Sequence, residues 1–338
     1  GNQADRRAHR VITAFLDLSH TEVTFQRTSI DPVRHTSTGI PAVRACRAAL
    51  AADRHVKERI MEYKTILVHV DDSPEAPDLV ASAVRLAHAH GAHLVGMTQT
   101  GISRFIRETT LPGVELGDLT PLFHDLREVA EVRAASFDAL ARQAGLASFE
   151  HRIDDEEPGL ARAVQALYAD LVIVGRTRPG TPALSGIAGL PEYIAMNSPC
   201  PVLVVPHPGA HAHAYDRVMV AWNASPEAAR AVRAALPLLA RAKEVEVALF
   251  DDDSSSARSP EDATEVGRFL ARHGVNASVT RHHPRGEVGN ALLVLAEDRK
   301  VDLLVMGCYG HSRYRDILLG GVSRTVLRRP AVPVLLAH

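Results

Sequence analysis

Apolar runs rich in β-branched residues alternate with segments of helical periodicity over most of the chain. Five such runs precede residue 207 and five follow it, and the second set predicts strands at about 216–222, 244–250, 276–281, 302–306 and 332–336. Because these runs are apolar at nearly every position, they indicate strands buried on both faces, as in a parallel sheet covered by helices. The alternation predicts an α/β protein with two tandem, doubly wound, Rossmann-like domains, each built on a five-stranded parallel sheet.

The chain also repeats itself, which supports two related domains. A Ser-Pro-Glu-Ala sequence begins at Ser73 and recurs at Ser225, an offset of 152, whereas the run 169–175 recurs at 301–307, an offset of 132. The first repeat therefore holds about 20 additional residues, and we expect them as a loop at 101–120, which is rich in Gly, Pro and Thr. We expect each serine to cap the first helix of its repeat, because its hydroxyl can accept from a free amide and proline follows it.

The repeats divide the chain into a first domain at 61–207, a linker at 208–215 and a second domain at 216–338. Residues 1–60 have no counterpart in either repeat. Two interpretations of this extension stay open: it is sequence upstream of a natural start at Met61, or it is a genuine regulatory or targeting segment.

Composition and charge exclude several classes of protein. The 338 residues are 46% hydrophobic and 23% charged, with a net charge of −2, so no basic surface for nucleic acid is expected. Cys46, Cys200 and Cys308 are too scattered for a disulfide framework or a cysteine metal site, which favours a reducing compartment. No apolar run approaches 18 residues, so no membrane span is expected, and we predict a cytoplasmic protein.

A gapped glycine pattern follows the fourth strand of the second repeat. Its positions are Gly307, Gly310, Gly320, Gly321, Val322 and Ser323. Glycine lets the backbone approach a phosphate closely, and the free amides and dipole at the start of a helix favour an anion. In a doubly wound sheet, ligands bind beyond the carboxyl ends of the strands where the strand order reverses. The spacing alone also fits an ordinary turn from strand to helix.

The segment 301–336 resembles the C-terminal signature of the universal stress protein family, whose nucleotide-binding members carry G-x2-G-x9-G-[S/T]. The resemblance extends over 62–338 and implies a tandem member with the adenine-nucleotide alpha-hydrolase-like fold. It also implies that ATP, with or without Mg²⁺, is held by the glycine pattern and by Asn223 at the end of the first strand. Two positions depart from the family pattern: Asn223 stands where Asp is usual, and Gly321 stands where Ser or Thr is usual.

The first repeat departs much further from this pattern. Arg178 replaces the second glycine, and Pro191 falls where Ser323 stands in the second repeat. We therefore expect a degenerate first site that does not bind nucleotide. An anion held by Arg176 and Arg178 is the alternative, although exposed arginines are usually only solvated.

The other residues that could bind a ligand or react also have ordinary structural explanations. The run 251–253, three aspartates, can hold Mg²⁺ near a nucleotide or form a solvated turn. Cys308 can be a reactive thiol or a packing residue, and Trp222 can line a nucleoside pocket or pack beneath a helix. His282 and His283 point to opposite sides of a strand, so no metal site is predicted. No catalytic set is evident, so any ATP hydrolysis is expected to be slow.

The function predicted from the sequence is an ATP-binding regulatory protein of the stress response. The family resemblance implies that its repeats pack as an intramolecular pseudo-dimer through their last strands, which would also cover exposed strand edges, with further pairing of two chains as a homodimer. One alternative is an interaction protein with vestigial sites. The other is an ATP-using enzyme of the alpha-hydrolase type, which would need a glycine in the loop after Asn223 that the sequence does not have.

Overall fold

A computed structural model describes most of the chain after residue 61. The described residues are 62–71, 73–109, 119–155, 165–176, 190–206, 215–250, 260–284, 286–308 and 321–338. They contain ten strands that form one sheet. The strands are β1 Thr65–His69, β2 His93–Gln99, β3 Phe149–Asp154, β4 Leu171–Gly175, β5 Val202–Val205, β6 Arg217–Trp222, β7 Glu244–Phe250, β8 Ala277–His282, β9 Leu303–Gly307 and β10 Val334–Ala337.

The order of the strands is β3-β2-β1-β4-β5-β10-β9-β6-β7-β8. Each half is a five-stranded parallel sheet in which the first strand lies between the second and the fourth. The strand order therefore reverses between β1 and β4 in the first half, and between β6 and β9 in the second. The predicted fold class is confirmed, and the five predicted strands of the second half lie within two residues of the observed ones.

Eight α-helices and one short 3₁₀ helix at Ala166–Tyr168 cover the two faces of the described sheet. The helices are α1 Ala76–His90, α2 Ile102–Thr109, α3 Thr120–Gln143, α4 Leu190–Asn197, α5 Pro226–Leu239, α6 Pro260–Arg272, α7 Val288–Asp298 and α8 Val322–Arg328. Strand residues alternate between two apolar layers. In β1, Ile66 and Val68 pack in the layer of α1, α3, α5 and α6, whereas Leu67 packs in the layer of α4, α7 and α8. The central strands are therefore buried on both sides, as their continuous apolar sequences predict. The prediction is wrong for the edge strands β3 and β8, which have no fully buried residue and alternate half-buried and exposed positions over much of their length.

The two halves meet through their last strands. β5 and β10 pair antiparallel, with Leu203 opposite Leu335, so the halves share one continuous sheet and both apolar layers. This is the predicted contact between the last strands of the two repeats. It removes two edges that would otherwise expose unpaired backbone groups.

The repeated Asp of each fourth-strand segment has a structural role. Asp170 accepts from the amides of Lys64 and Thr65 at 2.7 and 2.9 Å. Asp302 accepts from the amides at 216 and 217 at 2.8 and 2.9 Å. In both halves this carboxylate joins the start of the first strand to the start of the fourth. It thus helps to hold these two strands side by side at the point where the strand order reverses.

Only one of the two predicted serine caps forms. Ser225 is the N-cap of α5, and its hydroxyl accepts from the Ala228 amide at 3.1 Å. The prediction for Ser73 is wrong, because α1 begins at Ala76 with Glu75 at its N-cap and no side-chain cap. The Ser73 carbonyl instead accepts from the Ala76 amide at 3.0 Å, so a tight turn intervenes before the helix.

The additional residues of the first repeat are not simply a loop. The segment predicted as a loop at 101–120 contains helix α2, and residues 110–118 lie outside the described part of the chain. Helix α3 has 24 residues, whereas its counterpart α6 has 13. Part of the extra length therefore extends a helix of the first half.

Candidate functional site

The carboxyl ends of β6 and β9 form the candidate site of the second half. The two strands are parallel neighbours, with Ala221 opposite Met306. Asn223 follows β6 and Gly307 ends β9, so the reversal of strand order brings together two positions 84 apart in the sequence. This is the kind of crevice that binds ligands in doubly wound sheets.

Asn223 is engaged in a turn. Its Oδ1 accepts from the Ser225 amide at 3.2 Å, and Ala224 between them has a left-handed φ of 54°. Asp71 has the same role in the first half, where its Oδ1 accepts from the Ser73 amide at 2.9 Å. Both halves therefore use this position to shape the turn after the first strand. The Asn223 side-chain amide group retains its N–H donors for another partner.

Gly307 has a packing role at the start of α5. A Cβ at this position would lie 2.5 Å from the Ala228 nitrogen and 2.6 Å from the Glu227 carbonyl carbon. No side chain can occupy that space without moving the helix. The equivalent Gly175 of the first half has nothing nearer than 3.8 Å. Close contact between a strand and a helix thus accounts for the first glycine of the motif.

A buried polar cluster lies beside Gly307, and its members come from segments too far apart in the sequence for a local pattern to identify them. Glu227 is only 8% exposed, and its Oε1 accepts from Arg230 at 3.1 Å. Its Oε2 is buried and has no hydrogen-bond partner among the described residues. Arg230 also donates to the His338 carbonyl at 2.8 Å, and His338 Nδ1 lies 3.0 Å from the Cys308 carbonyl. These contacts join the start of α5 to the ends of β9 and β10.

Cys308 behaves as a packing residue in this environment. The residue is fully buried, and burial first, then the nearby Glu227 carboxylate, raises the pKa of its thiol to about 12. A thiol with so high a pKa stays protonated near neutral pH and is a poor nucleophile. The packing alternative therefore fits better than a reactive thiol.

The start of α8 supplies the second part of the predicted site. The Gly321 carbonyl accepts from the amides of Arg324 and Thr325 at 2.9 and 3.1 Å. Ser323 is 9% exposed, and Val322 is half-buried at the apolar layer. A Cβ on Gly289 of α7 would lie 2.8 Å from the Thr325 Cβ, so α7 and α8 pack closely. The remaining motif glycines, Gly310 and Gly320, lie outside the described residues.

The equivalent region of the first half is described only at its two ends, around Arg176 and from residue 190 onwards. Pro191 is buried at the start of α4, where α8 has Ser323. The Arg176 amide donates to the Val205 carbonyl at 3.1 Å. Its side-chain Nε is buried, and no residue that the structure describes is its hydrogen-bond partner. Arg178 lies outside the described residues, so the proposed arginine pair stays a prediction.

The other candidates from the sequence occupy ordinary positions or are not described. Trp222 packs against the apolar layer while its Nε1 is buried without a hydrogen bond, so both explanations for it stay open. The three aspartates at 251–253 lie outside the described residues. His282 stacks on Phe250 at 5.3 Å and lies 2.9 Å from the Thr280 hydroxyl.

Two further features concern metals and membranes. Ligand atoms of His124, Asp125 and Glu128 lie within 4.8 Å of one another on α3, but all three side chains are exposed, as acidic groups without a metal commonly are. The spacing of these residues in one helix was the only sequence signal for the group. Among the described helices, none combines the length and the apolar character needed to cross a bilayer.

Comparison with known proteins agrees with the fold. A universal stress protein from Archaeoglobus fulgidus has a solved structure that covers 82% of this chain and 97% of its own, with a TM-score of 0.65 and 18% identity. Universal stress protein Slr1230 of Synechocystis is 42% identical over 50 residues, which are 15% of this chain and 17% of that protein. This chain thus matches about a sixth of the length of that relative. A universal stress protein solved in complex with cAMP covers 43% of this chain and 98% of its own, at 24% identity and a TM-score of 0.31.

The fold and the two reversal points define a tandem α/β protein with one ligand crevice expected in each half. The Universal stress protein family matches residues 62–206 and 214–338. The chain belongs to this family and carries two copies of its domain.

Proposed function

We propose that the chain is a regulatory protein that binds an adenine nucleotide, with ATP as the expected ligand, in its second half. The observation that carries the proposal is the adjacency of β6 and β9, because it brings Asn223 to the first residue of the glycine motif. The described parts of the motif, Gly307 and the segment from Gly321 to Ser323, flank the same end of the sheet. Family membership supports the same ligand, since the motif resembles that of nucleotide-binding members.

The proposed contacts follow from the groups available. Asn223 offers its side-chain amide, which can donate to a ribose or base acceptor while its Oδ1 keeps the turn bond. The backbone of Gly307, Gly310, Gly320, Gly321 and Val322 and the hydroxyl of Ser323 would face ribose and phosphates. The nucleotide in turn would change the affinity for a partner protein by binding one conformation better than another.

A pair of matched variants tests this site. Asn223→Ala and Asp71→Ala each remove one side-chain acceptor from the same turn, so both should lower stability by a similar amount, about 1 kcal/mol. ATP with Mg²⁺ at 100 times its Kd should stabilise the wild-type chain by about 2.7 kcal/mol. We expect Asn223→Ala to weaken ATP binding by about 3-fold to 10-fold and Asp71→Ala to leave it unchanged. Calorimetric titration and thermal melts of the full chain measure both effects.

Asn223→Asp tests the same site and should change the affinity for ATP in the opposite direction. The carboxylate keeps the acceptor for the Ser225 amide and restores the residue that the family pattern usually has. Its second oxygen replaces the amide donors of Asn223 with a charged acceptor, which would face the ribose or base and not the phosphates. Because a hydroxyl or amino group donates more strongly to a charged acceptor, we expect tighter ATP binding than in the wild-type chain. If millimolar ATP with Mg²⁺ leaves the melting temperature of both proteins unchanged, the proposed ligand is wrong.

An interaction protein without a nucleotide is the second candidate, and the packing at Gly307 favours it. That glycine is required by its contact with α5, whether or not a phosphate binds nearby. Such a protein would show no nucleotide after purification under native conditions and no thermal response to ATP. The thermal response to ATP therefore distinguishes the two candidate functions.

A further inference from the structure

The first half contains a cleft that is separate from the glycine motif. It lies between α1 and α3 at the carboxyl end of β1 and has a volume of about 350 Å³. This volume is at the small end of the range of about 300–1,000 Å³ typical of small-molecule sites. The residues that line it come from the turn after β1, α1 and α3. None of them comes from the described residues that follow β4.

The floor and walls of the cleft are apolar. Val80 of α1 faces Phe137 and Leu140 of α3 across it. Phe137 is fixed because its ring packs on Gly96 of β2, where a Cβ would lie only 2.9 Å from the ring atoms. Val132, at the rim of the cleft, is 66% exposed. A flat or branched hydrocarbon group could bury this surface.

One cation in the cleft has no carboxylate partner among the residues that the structure describes. Of the three arginines of α3, Arg127 pairs with Asp155, and Arg142 pairs with Asp138 at 3.1 Å. Arg133 lines the cleft and forms no ion pair with a described residue. Its helix neighbours three and four positions away are Val, Ala, Ser and Phe, so α3 itself offers no carboxylate at those positions. A half-buried guanidinium beside an apolar wall favours an anionic head group as its partner.

The end of the cleft at the turn after β1 limits the charge of the ligand. Asp71 lines the cleft next to Ser73, and its Oδ1 accepts from the Ser73 amide. A carboxylate at this end repels a second negative group and can accept a hydrogen bond from a hydroxyl or amine. Ser136 adds a hydroxyl near Arg133 on the same helix. A polyanion such as a nucleoside triphosphate therefore fits this cleft poorly.

We propose that the first half binds a small amphipathic organic monoanion in this cleft, with its apolar body between α1 and α3 and its carboxylate or sulfonate on Arg133. The first half is then a ligand-binding unit whose chemistry differs from that of the nucleotide site proposed for the second half. The two sites are independent, so failure of one proposal does not remove the other.

Two fluorescent probes with the same aromatic body test the proposal on the full chain. Anilinonaphthalene sulfonate carries one negative charge, whereas N-phenyl-1-naphthylamine carries none. We expect Arg133→Gln to raise the Kd of the sulfonate by at least about 5-fold and that of the neutral probe by less than about 2-fold. Arg142→Gln, on the same helix but outside the cleft, should change neither Kd.

A second pair of variants tests the position of the apolar body. Ser136→Trp fills the cleft and should weaken both probes by about 10-fold or more, whereas Ala135→Trp, one residue along the same exposed stretch of helix, should weaken neither. ATP with Mg²⁺ should not displace the sulfonate probe. The proposal is overturned if binding of the sulfonate does not saturate, if Arg133→Gln and Arg142→Gln behave alike, if both tryptophan variants behave alike, or if ATP displaces the probe.

Discussion

The glycine at position 307 can be explained either by nucleotide binding or by packing. The sequence places it first in a nucleotide-binding pattern, whereas the structure places it so close to α5 that an added Cβ would lie 2.5 Å from the Ala228 nitrogen. Spacing along the chain cannot distinguish these roles, because both require a residue without a Cβ. Gly175 occupies the same position of the first half but has free space around it.

The pair of glycines gives a direct prediction at the residue scale. Gly307→Ala should lower the free energy of unfolding by about 1–3 kcal/mol, because the new Cβ must displace the start of α5. Gly175→Ala should change it by less than about 1 kcal/mol, since its Cβ would make only ordinary contacts. Urea unfolding of the two variants measures both values. Equal stability of the two would contradict the packing role of Gly307.

At the scale of single elements, identical sequence does not give identical structure. Ser-Pro-Glu-Ala starts a capped helix at Ser225, but at Ser73 it forms a turn that precedes the helix. The tetrapeptide is compatible with a capped helix start and with a turn, because a Ser followed by a Pro is common in both structures. The surrounding packing therefore decides which of the two forms.

This difference predicts unequal effects of the same substitution. Ser225→Ala should destabilise the protein by about 1 kcal/mol, because the Ala228 amide loses its hydroxyl partner. Ser73→Ala should have an effect within about 0.5 kcal/mol, since the Ser73 side chain caps no helix. Denaturant unfolding under identical conditions compares them. A larger loss at Ser73 than at Ser225 would show that the assignment of the caps is reversed.

At the scale of the whole molecule, the two halves are joined by more than the β5–β10 pair. Residues at the start of the first domain also contact the second half. The Tyr63 hydroxyl donates to the Ala234 carbonyl of α5 at 2.8 Å, and Glu62 lies 3.4 Å from Arg241. His90 lies against Tyr63, with ring centroids 5.0 Å apart, and is only 2% exposed. Both of its ring nitrogens are buried, and neither has a hydrogen-bond partner in the described part of the chain.

His90 should make the stability of the protein sensitive to acid. Burial, and then the charge of Arg241, lower its pKa from 6.5 to about 4, although Glu62 opposes this and Lys64 adds to it. The unfolded chain therefore binds the proton more readily than the folded chain, so stability is retained above about pH 6.5 and falls as the pH drops towards 4. From this histidine alone the loss should be about 2 kcal/mol at about pH 5.

Two leucine variants isolate this contribution. His90→Leu removes the titrating ring. When the pH is lowered from about 7.5 to about 5, the free energy of unfolding of this variant should therefore fall by about 2 kcal/mol less than that of the wild-type chain. His88→Leu, exposed on the same helix, should keep the full pH dependence. Chemical denaturation at the two pH values provides the comparison. An unchanged pH dependence in His90→Leu would exclude His90 as the acid-sensitive group.

The sequence by itself determined the class of fold, the duplication and the family. Continuous apolar runs, a repeat at a constant offset and a gapped glycine pattern are local or periodic features, so they can be recognised without knowing which residues touch. They were sufficient to predict the five strands of the second half, whereas the contact between the last strands was expected from the resemblance to the family. The carboxyl end of the first strand and the glycine motif could also be associated in advance, because the order of a doubly wound sheet is regular.

Only the tertiary structure decided how particular side chains are used. It showed the contact of Gly307 with α5, the turn at Ser73, the buried Glu227 and the cleft that contains Arg133. Each of these depends on distances between segments that are far apart in the sequence or on the available space beside a backbone atom. Periodicity carries no information about such distances, since it records which residues face the core and not which residues they meet there.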